Sequence, residues 1–376
     1  MVGSAHPDGP LGGLHVVGVE HSVAGPLCTR VLGELGARVT KVERAGAGDF
    51  ARHWDAHADG EGAQFLWLNR GKDGLALDLR DREDRLRLDE LLAGADVLVY
   101  NMSPAAAARL GFEAAALART HSRLIACQIS GYGASGAWSD RKAYDMLVQA
   151  EAGLMSLTGE RERPARAGVS VCDVSTGIYA ALLVLAAVRE RDRTGRGRHL
   201  DVAMLDCALE FVAPMLTSFL NAGVSFERSA RHHHAIAPYG VFRCATGLEL
   251  VIAVEHDGEW LRFAHDVLEL PELAADPRFA TNALRLEHRT ELHDAVESAL
   301  LRLDRDALCG RLDRAGIAYA ALNSIADLAA HPLLSERGLL VESPSAGGGT
   351  VASFGGVAAR AFGRSLAGRV PPRDVL

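Results

Sequence analysis

The first half of the chain alternates two periods. Residues 14–19 form a short apolar run ending at Glu20 and His21, and residues 27–35 then repeat apolar positions at helical spacing until Gly36 stops them. Strand, turn, helix is the reading. Residues 38–43 alternate like a second strand, 75–79 like a third, 97–100 like a fourth and 124–129 like a fifth, with an amphipathic helix predicted over 81–92. Such β/α units predict a Rossmann-like layer on a parallel sheet.

From about residue 143 the pattern changes. Helices are predicted over 144–157, 174–191 and 205–220, with a short strand at 199–202 that follows the Gly- and Arg-rich turn 191–197. Residues 225–240 carry little periodicity and read as a long linker with functional potential. Residues 241–244 and 248–254 suggest a hairpin, helices follow over 257–312, 318–322 is one more strand, and the tail from 342 is Gly- and Ser-rich with short β segments.

Composition narrows the function classes. With 376 residues, 48% hydrophobic and 23% charged, the chain has two or three globular domains' worth of sequence, which excludes disorder, collagen and a disulfide-stapled mini-protein. A balance of 40 Lys+Arg against 48 Asp+Glu, net −8, without a basic block, argues against nucleic acid or a membrane surface as main partner. The cysteines at 28, 127, 172, 207, 244 and 309 form no CxxC pair and read as buried thiols in a reducing compartment. Residues 1–13 lack a signal-peptide pattern and no apolar run is read as long enough to span a membrane, so a cytoplasmic protein is expected.

The first turn, 20–26, holds one glycine where a dinucleotide fingerprint wants three. A GxGxxG string at 131–136 is followed by Ala-Trp-Ser-Asp-Arg-Lys instead of an apolar helix, so it reads as a Gly-rich loop. There is no Walker loop, no GxSxG and no HExxH. Adjacent side chains in an extended segment point to opposite faces, so His232, His233 and His234 favour a polar loop near a cleft over a metal site, and no metal is expected. Asp173 opens the helix predicted over 174–191. It is either an N-cap or a carboxylate held ionised near the positive end of the helix dipole. Asp145, after Tyr144, opens the preceding helix in the same style, as another cap or a second carboxylate facing the same cleft.

Several ordered stretches share one pattern: Val23 to Thr29 with Leu35 to Arg44, Gly48-Asp49 with Arg52, Leu68 to Lys72, Asp96 to Met102 before Arg109, Tyr144-Asp145 through Gly159, Asp173 to Gly177, Asp201 to Asp206, Pro238-Tyr-Gly and Asp276-Pro-Arg-Phe. On these the chain resembles the class III CoA-transferase family of the CaiB/BaiF type, which includes formyl-CoA transferase, carnitine CoA-transferase and α-methylacyl-CoA racemase. The resemblance implies an α/β fold: a Rossmann-like large domain built from both chain ends (1–224 and 326–376), a smaller α+β domain (225–325), and an interlocked homodimer. It implies an acyl-CoA:carboxylate CoA-transferase, with succinyl-CoA or another short dicarboxylyl-CoA as a candidate donor. Asp173 is then the nucleophile that carries an acyl-aspartyl anhydride and an aspartyl-CoA thioester.

The backbone at Ser22, Val23 and Ala24 is the implied source of oxyanion donors, and Tyr144 and Asp145 belong to the same catalytic group. Arg44 and Lys72 match positions that contact the nucleotide part of CoA, with Asn101, Met102 and Arg109 nearby and Lys142 close to the phosphates. His232, His233, His234 and Tyr239 match a substrate loop, although the glycine run that shields the intermediate in the family is missing here. Coenzyme A thioester comes as substrate, with no permanently bound cofactor. The alternatives are a racemase or epimerase and a non-catalytic CoA-binding protein. The racemase branch has histidine where this chain has Tyr144, and a phenol of pKa ~10 is a poorer base near neutrality than imidazole.

Overall fold

The computed structural model describes residues 9–245, 247–345, 348–364, 368 and 370–371. Two compact units emerge: one takes in the chain up to Leu154, Ala167–Leu216 and the chain from Pro332 on, the other Met155–Arg166 and Thr217–His331. It is a mixed α/β protein with a central parallel sheet and additional small antiparallel sheets.

The first unit is organised by six strands, β1 (His15–Val19), β2 (Arg38–Arg44), β3 (Asp73–Leu77), β4 (Val97–Tyr100), β5 (Ile125–Ser130) and β6 (His199–Ala203). They lie in the order β3-β2-β1-β4-β5-β6, and all neighbours are parallel. Helices on the faces of a parallel sheet bury both sides of its strands, which is why β4 and β5 are buried at every position. Helix α1 (Ala24–Glu34) buries Leu27, Cys28 and Leu32. It packs on the long helix α3 (Val171–Thr194), which begins beyond the short helix α2 (Asp145–Glu151). Small residues along α3, among them Ala180, Ala181 and Ala187, let the helix join the same core as Val16, Val99 and Ile125.

Three departures from the expected elements have physical causes. The helix expected over 144–157 stops at Glu151, because Gly153 turns into the left-handed region (φ 78°) before a separate turn at Leu154–Leu157. Helix α3 starts at Val171 rather than 174 and continues to Thr194, where Gly195 ends it at φ 74°. Its early start has a tertiary cause, since a side chain from α2 caps it. It is also the one helix among the described residues long and apolar enough to cross a membrane, which corrects the expectation that no run reaches that length. Its place is in the core: nine of its residues are buried, and Arg191 pairs with Asp96 at 2.8 Å.

Helix α4 (Met204–Ala222) follows β6. The second unit then carries an antiparallel sheet of β7 (Tyr239–Arg243), β8 (Glu249–Ala253) and β9 (Ala318–Ala321), in the order β9-β8-β7, over a core that includes Trp260, Phe263 and Leu292. The later half of the segment expected as a linker is fastened within this unit. Asn282 holds it at two points, accepting from Ala237 N–H at 3.1 Å and donating to the Ala235 carbonyl at 2.9 Å. Arg285 donates to the Ala237 carbonyl at 2.7 Å, and Arg289 reaches the carbonyls of His233 and His234.

Candidate active site

In an open parallel sheet, ligands bind beyond the carboxyl ends of the strands where the strand order reverses. Here that point lies between β1 and β4. A cavity of about 450 Å³ occupies it, walled by His21, Ser22 and Ala24 after β1, Asn101 to Pro104 after β4, Gly131 and residues 139–145 after β5, and Asp173 of α3. A second cavity of about 810 Å³ lies alongside, over the ends of β1, β2 and β3, with Arg44, Asp78 and Arg80 in its lining. His21, Phe50 and Met102 line both.

The turn that separates β1 from α1 is held from beneath by buried charge. Lys41, fully buried, donates to Glu20 at 2.7 Å and Asp49 at 3.0 Å, and Lys72 donates to Glu20 at 3.2 Å. Burial works to raise the Glu20 carboxyl, yet Lys41 and Lys72 hold it down to about 2. Lys72 shows the opposite balance: burial outweighs the pull of Glu20 and leaves the ammonium at about 8. Asp49 accepts the amide of Ser22 at 3.2 Å, and Ser22 sits in the left-handed region at φ 69°, where a residue with a Cβ is strained. One position earlier, the Asn101 side chain accepts from His21 N–H at 2.9 Å and donates to the His21 carbonyl at 2.8 Å. These contacts aim the start of α1.

What α1 faces is Asp173. The Ala24 amide at the N-terminus of α1 is directed at the Asp173 carboxylate and favours its anion, and Asp173 itself stands in the first turn of α3. Two helix N-termini favour its anion. Burial and the neighbouring Asp145 oppose them and prevail, and the Asp173 carboxyl is pushed up to about 7. Asp145, nearly buried, aims its Oδ1 at the α3 N-terminus and accepts from Cys172 N–H at 2.8 Å and Asp173 N–H at 3.2 Å. It thereby caps a helix that its own N-cap residue, Ser170, leaves without a side-chain bond. Asp173 is thus not the cap of α3.

Four residues beyond Asp173, on the same helix face, Gly177 lets α1 and α3 touch. A Cβ there would stand 2.8 Å from both the Ala24 carbonyl oxygen and Leu27 Cβ. Gly177→Ala is therefore expected to part the helices, costing about 1–3 kcal/mol of stability and at least about tenfold in activity by moving the Ala24 amide off Asp173. Urea unfolding and a rate assay on the folded variant measure both.

The cavity brings together Ser22, Ala24, Asn101, Met102, Lys142, Tyr144, Asp145 and Asp173. Arg44 and Met102 line its neighbour. Other expected residues stand elsewhere. Lys72 lines neither cavity; its ammonium is buried and engaged with Glu20, the Pro26 carbonyl and Asn69 at 2.8 Å. Val23 is buried, Arg109 is exposed at the end of a short helix, and neither reaches a cavity wall. The Ser22 amide faces Asp49, which leaves Ala24 as the amide aimed at Asp173. The Asn101 side chain is engaged with the main chain of His21. Within the second unit, His232 packs on His293 and Phe242, His233 lies between His234 and Tyr239, and His234 also meets Phe226. Sequence reasoning passed over Arg80, Phe50 and Gln149. A cation just past the end of a parallel strand was the available signal for Arg80; Gln149 gave none.

The profile of CoA-transferase family III matches residues 11–372. The acetyl-CoA:oxalate CoA-transferase of Acetobacter aceti is 35% identical over 341 residues, covering 90% of this chain and 87% of that protein. The succinate–glutarate CoA-transferase of Agrobacterium fabrum is 33% identical, covering 89% and 85%. Among solved structures, a CaiB/BaiF family protein from Brucella suis superposes with a TM-score of 0.83 at 32% identity, covering 97% of this chain and 96% of that one.

Proposed function

The chain belongs to CoA-transferase family III, and on that premise we propose that it moves CoA from an acyl-CoA to a free carboxylic acid through covalent intermediates on Asp173. One observation carries the assignment: a carboxyl group in a cavity at the switch point of the sheet, with a helix-terminal amide already directed at it. The carboxylate attacks the thioester carbonyl, the C–S bond breaks, and CoA thiolate leaves an acyl-aspartyl anhydride. The thiolate then attacks the aspartyl carbonyl, releasing the donor acid and forming aspartyl-CoA. The acceptor carboxylate opens that thioester to a second anhydride. CoA thiolate finally takes the new acyl group and restores Asp173. Thioester replaces thioester throughout, so the sequence balances without another co-reactant.

Each addition passes through an oxyanion, for which one preorganised amide is worth about 3 kcal/mol. Ala24 N–H is the donor this geometry supports. The adjoining cavity suits the nucleotide part of CoA, with Arg44 and Arg80 as its phosphate partners and Lys142 on the rim nearer Asp173. Arg44→Ala and Arg80→Ala are each expected to raise KM for acyl-CoA by about tenfold with kcat little changed, read from initial rates.

The named activities of the relatives, on oxalate and glutarate, support a short dicarboxylate as acceptor. A homodimer fits the exposed apolar residues Ile178, Leu182 and Leu183 on α3 and Phe211 on α4. Sedimentation of the purified protein reads it. To test the reaction, labelled succinyl-CoA is incubated with oxalate, glutarate and mesaconate, then quenched with hydroxylamine. With the label in its CoA part, label should pass to the thioester of the acceptor acid, and a hydroxamate should map to position 173. Hydrolysis alone, or exchange with the hydroxamate elsewhere, would overturn the assignment.

A further inference from the structure

Gln149 has no part in the reaction steps, yet its buried side chain binds a residue that lines the Asp173 cavity. It is fully buried in the second turn of α2. Its Nε2 donates to Asp145 Oδ2 at 2.5 Å and lies 3.4 Å from the Val169 carbonyl, while its Oε1 accepts from Ala167 N–H at 2.9 Å. One amide therefore ties together the carboxylate of Asp145 and the strand of chain that leads into α3.

We propose that Gln149 is a positioning residue for the transfer reaction: by fixing Asp145 against the N-terminus of α3, it sets where the Asp173 carboxylate stands and the charge it stands beside. The chain of contacts is short. Gln149 takes Asp145 Oδ2, and this leaves Oδ1 free to accept the amides of Cys172 and Asp173. Asp145 can turn about its side-chain bonds, and a single carboxylate with two oxygens caps a helix only while it is held in one rotamer. Without the Gln149 amide, Oδ2 is a buried acceptor lacking that donor, and the favourable response is for the carboxylate to swing toward solvent. That movement takes negative charge from beside Asp173. The groups that face Asp173 are then the Ala24 amide of α1, the neutral Cys172 thiol of its own helix and a displaced Asp145.

The inference rests on Asp173 being the nucleophile, and the experiment separates the two claims. Gln149→Met keeps the volume and removes both hydrogen-bonding groups, Gln149→Leu removes the same groups and takes its place should Met fail to fold, and Gln149→Glu keeps the shape and the acceptor. CoA exchange is followed from pH 5 to 9, and the acyl-aspartyl species is trapped with hydroxylamine at each pH. Wild type should show an acid limb near pH 7. In Gln149→Met that limb should move to lower pH by about one unit, the scale on which a like charge at close range acts, with kcat down about tenfold and KM for acyl-CoA within about twofold. In Gln149→Glu, which returns a carboxyl to the site, the limb should not fall with it. A Gln149→Met enzyme whose kcat drops while the limb stays at the wild-type pH would assign the residue to structure alone and overturn the inference. Failure to trap an acyl group at position 173 in wild type would instead overturn the nucleophile assignment.

Discussion

Asp173→Asn is expected to lower CoA exchange by at least about 10⁴-fold and, at pH 8, to make the protein more stable than wild type. The first effect follows from chemistry, since an amide cannot attack a thioester and no other group takes over a covalent step. The second follows from the field at the site. The folded protein holds the Asp173 proton with a pKa of about 7, against about 3.9 for an aspartate in an unfolded chain. Between those values the folded state binds more protons than the unfolded state, so the free energy of unfolding falls as pH rises from about 4 to about 7. At about 1.4 kcal/mol per unit, the upper bound on that loss is on the order of 4 kcal/mol, and access of solvent to the half-buried carboxyl reduces it. Asparagine fills the same space without the charge. Denaturant unfolding at pH 4 and pH 8 checks the point: the variants should match at pH 4 and separate at pH 8. Equal stabilities at both values would mean the carboxyl is not destabilised by its surroundings, and a wild-type exchange rate would remove it from the mechanism.

A carboxyl group that its surroundings hold against ionisation explains why the same residue reads differently in sequence and in space. From the chain alone Asp173 has the look of a helix cap, because aspartate at a helix start ordinarily is one. The cap turned out to be Asp145, 28 positions earlier, and that substitution of one aspartate for another is a tertiary event with no local signature. The strands were easier. β4 and β5 are buried on both faces, so their apolar runs were legible without any knowledge of partners. Lys72 shows the limit of reading charge type. The resemblance matches Lys72 to a position that contacts the nucleotide part of CoA, but its partner Glu20 lies 52 positions away in the chain, and only folding brings the two together beneath the turn. Gly177 was visible as part of a motif. Its reason, the approach of α1, required the packing.

Asp49→Ala is the other substitution with a large expected effect, about 3–5 kcal/mol of lost stability. Asp49 is buried, and its carboxylate takes Lys41 Nζ at 3.0 Å, the Ser22 amide at 3.2 Å and the Ala51 amide at 3.0 Å. Alanine leaves two amides without their acceptor and Lys41 with one carboxylate instead of two. The residual Glu20–Lys41 contact at 2.7 Å limits the damage to a partly compensated charge. The pH dependence runs opposite to that of Asp173. Glu20 titrates near 2 in the fold and near ~4.3 in an unfolded chain, so its contribution is present above about 4.3 and is lost as pH falls toward 2. Activity should fall further than stability accounts for. Ser22 is held at φ 69° by the Asp49 bond, and release of that residue toward ordinary dihedrals displaces the start of α1 and with it the Ala24 amide. Asp49→Asn retains an acceptor for the two amides while discarding the charge, so it separates the two roles: it should keep most of the activity in its folded fraction and lose mainly stability. If Asp49→Ala unfolds at the wild-type urea concentration, or if Asn and Ala reduce exchange equally, the buried lattice does not aim the turn.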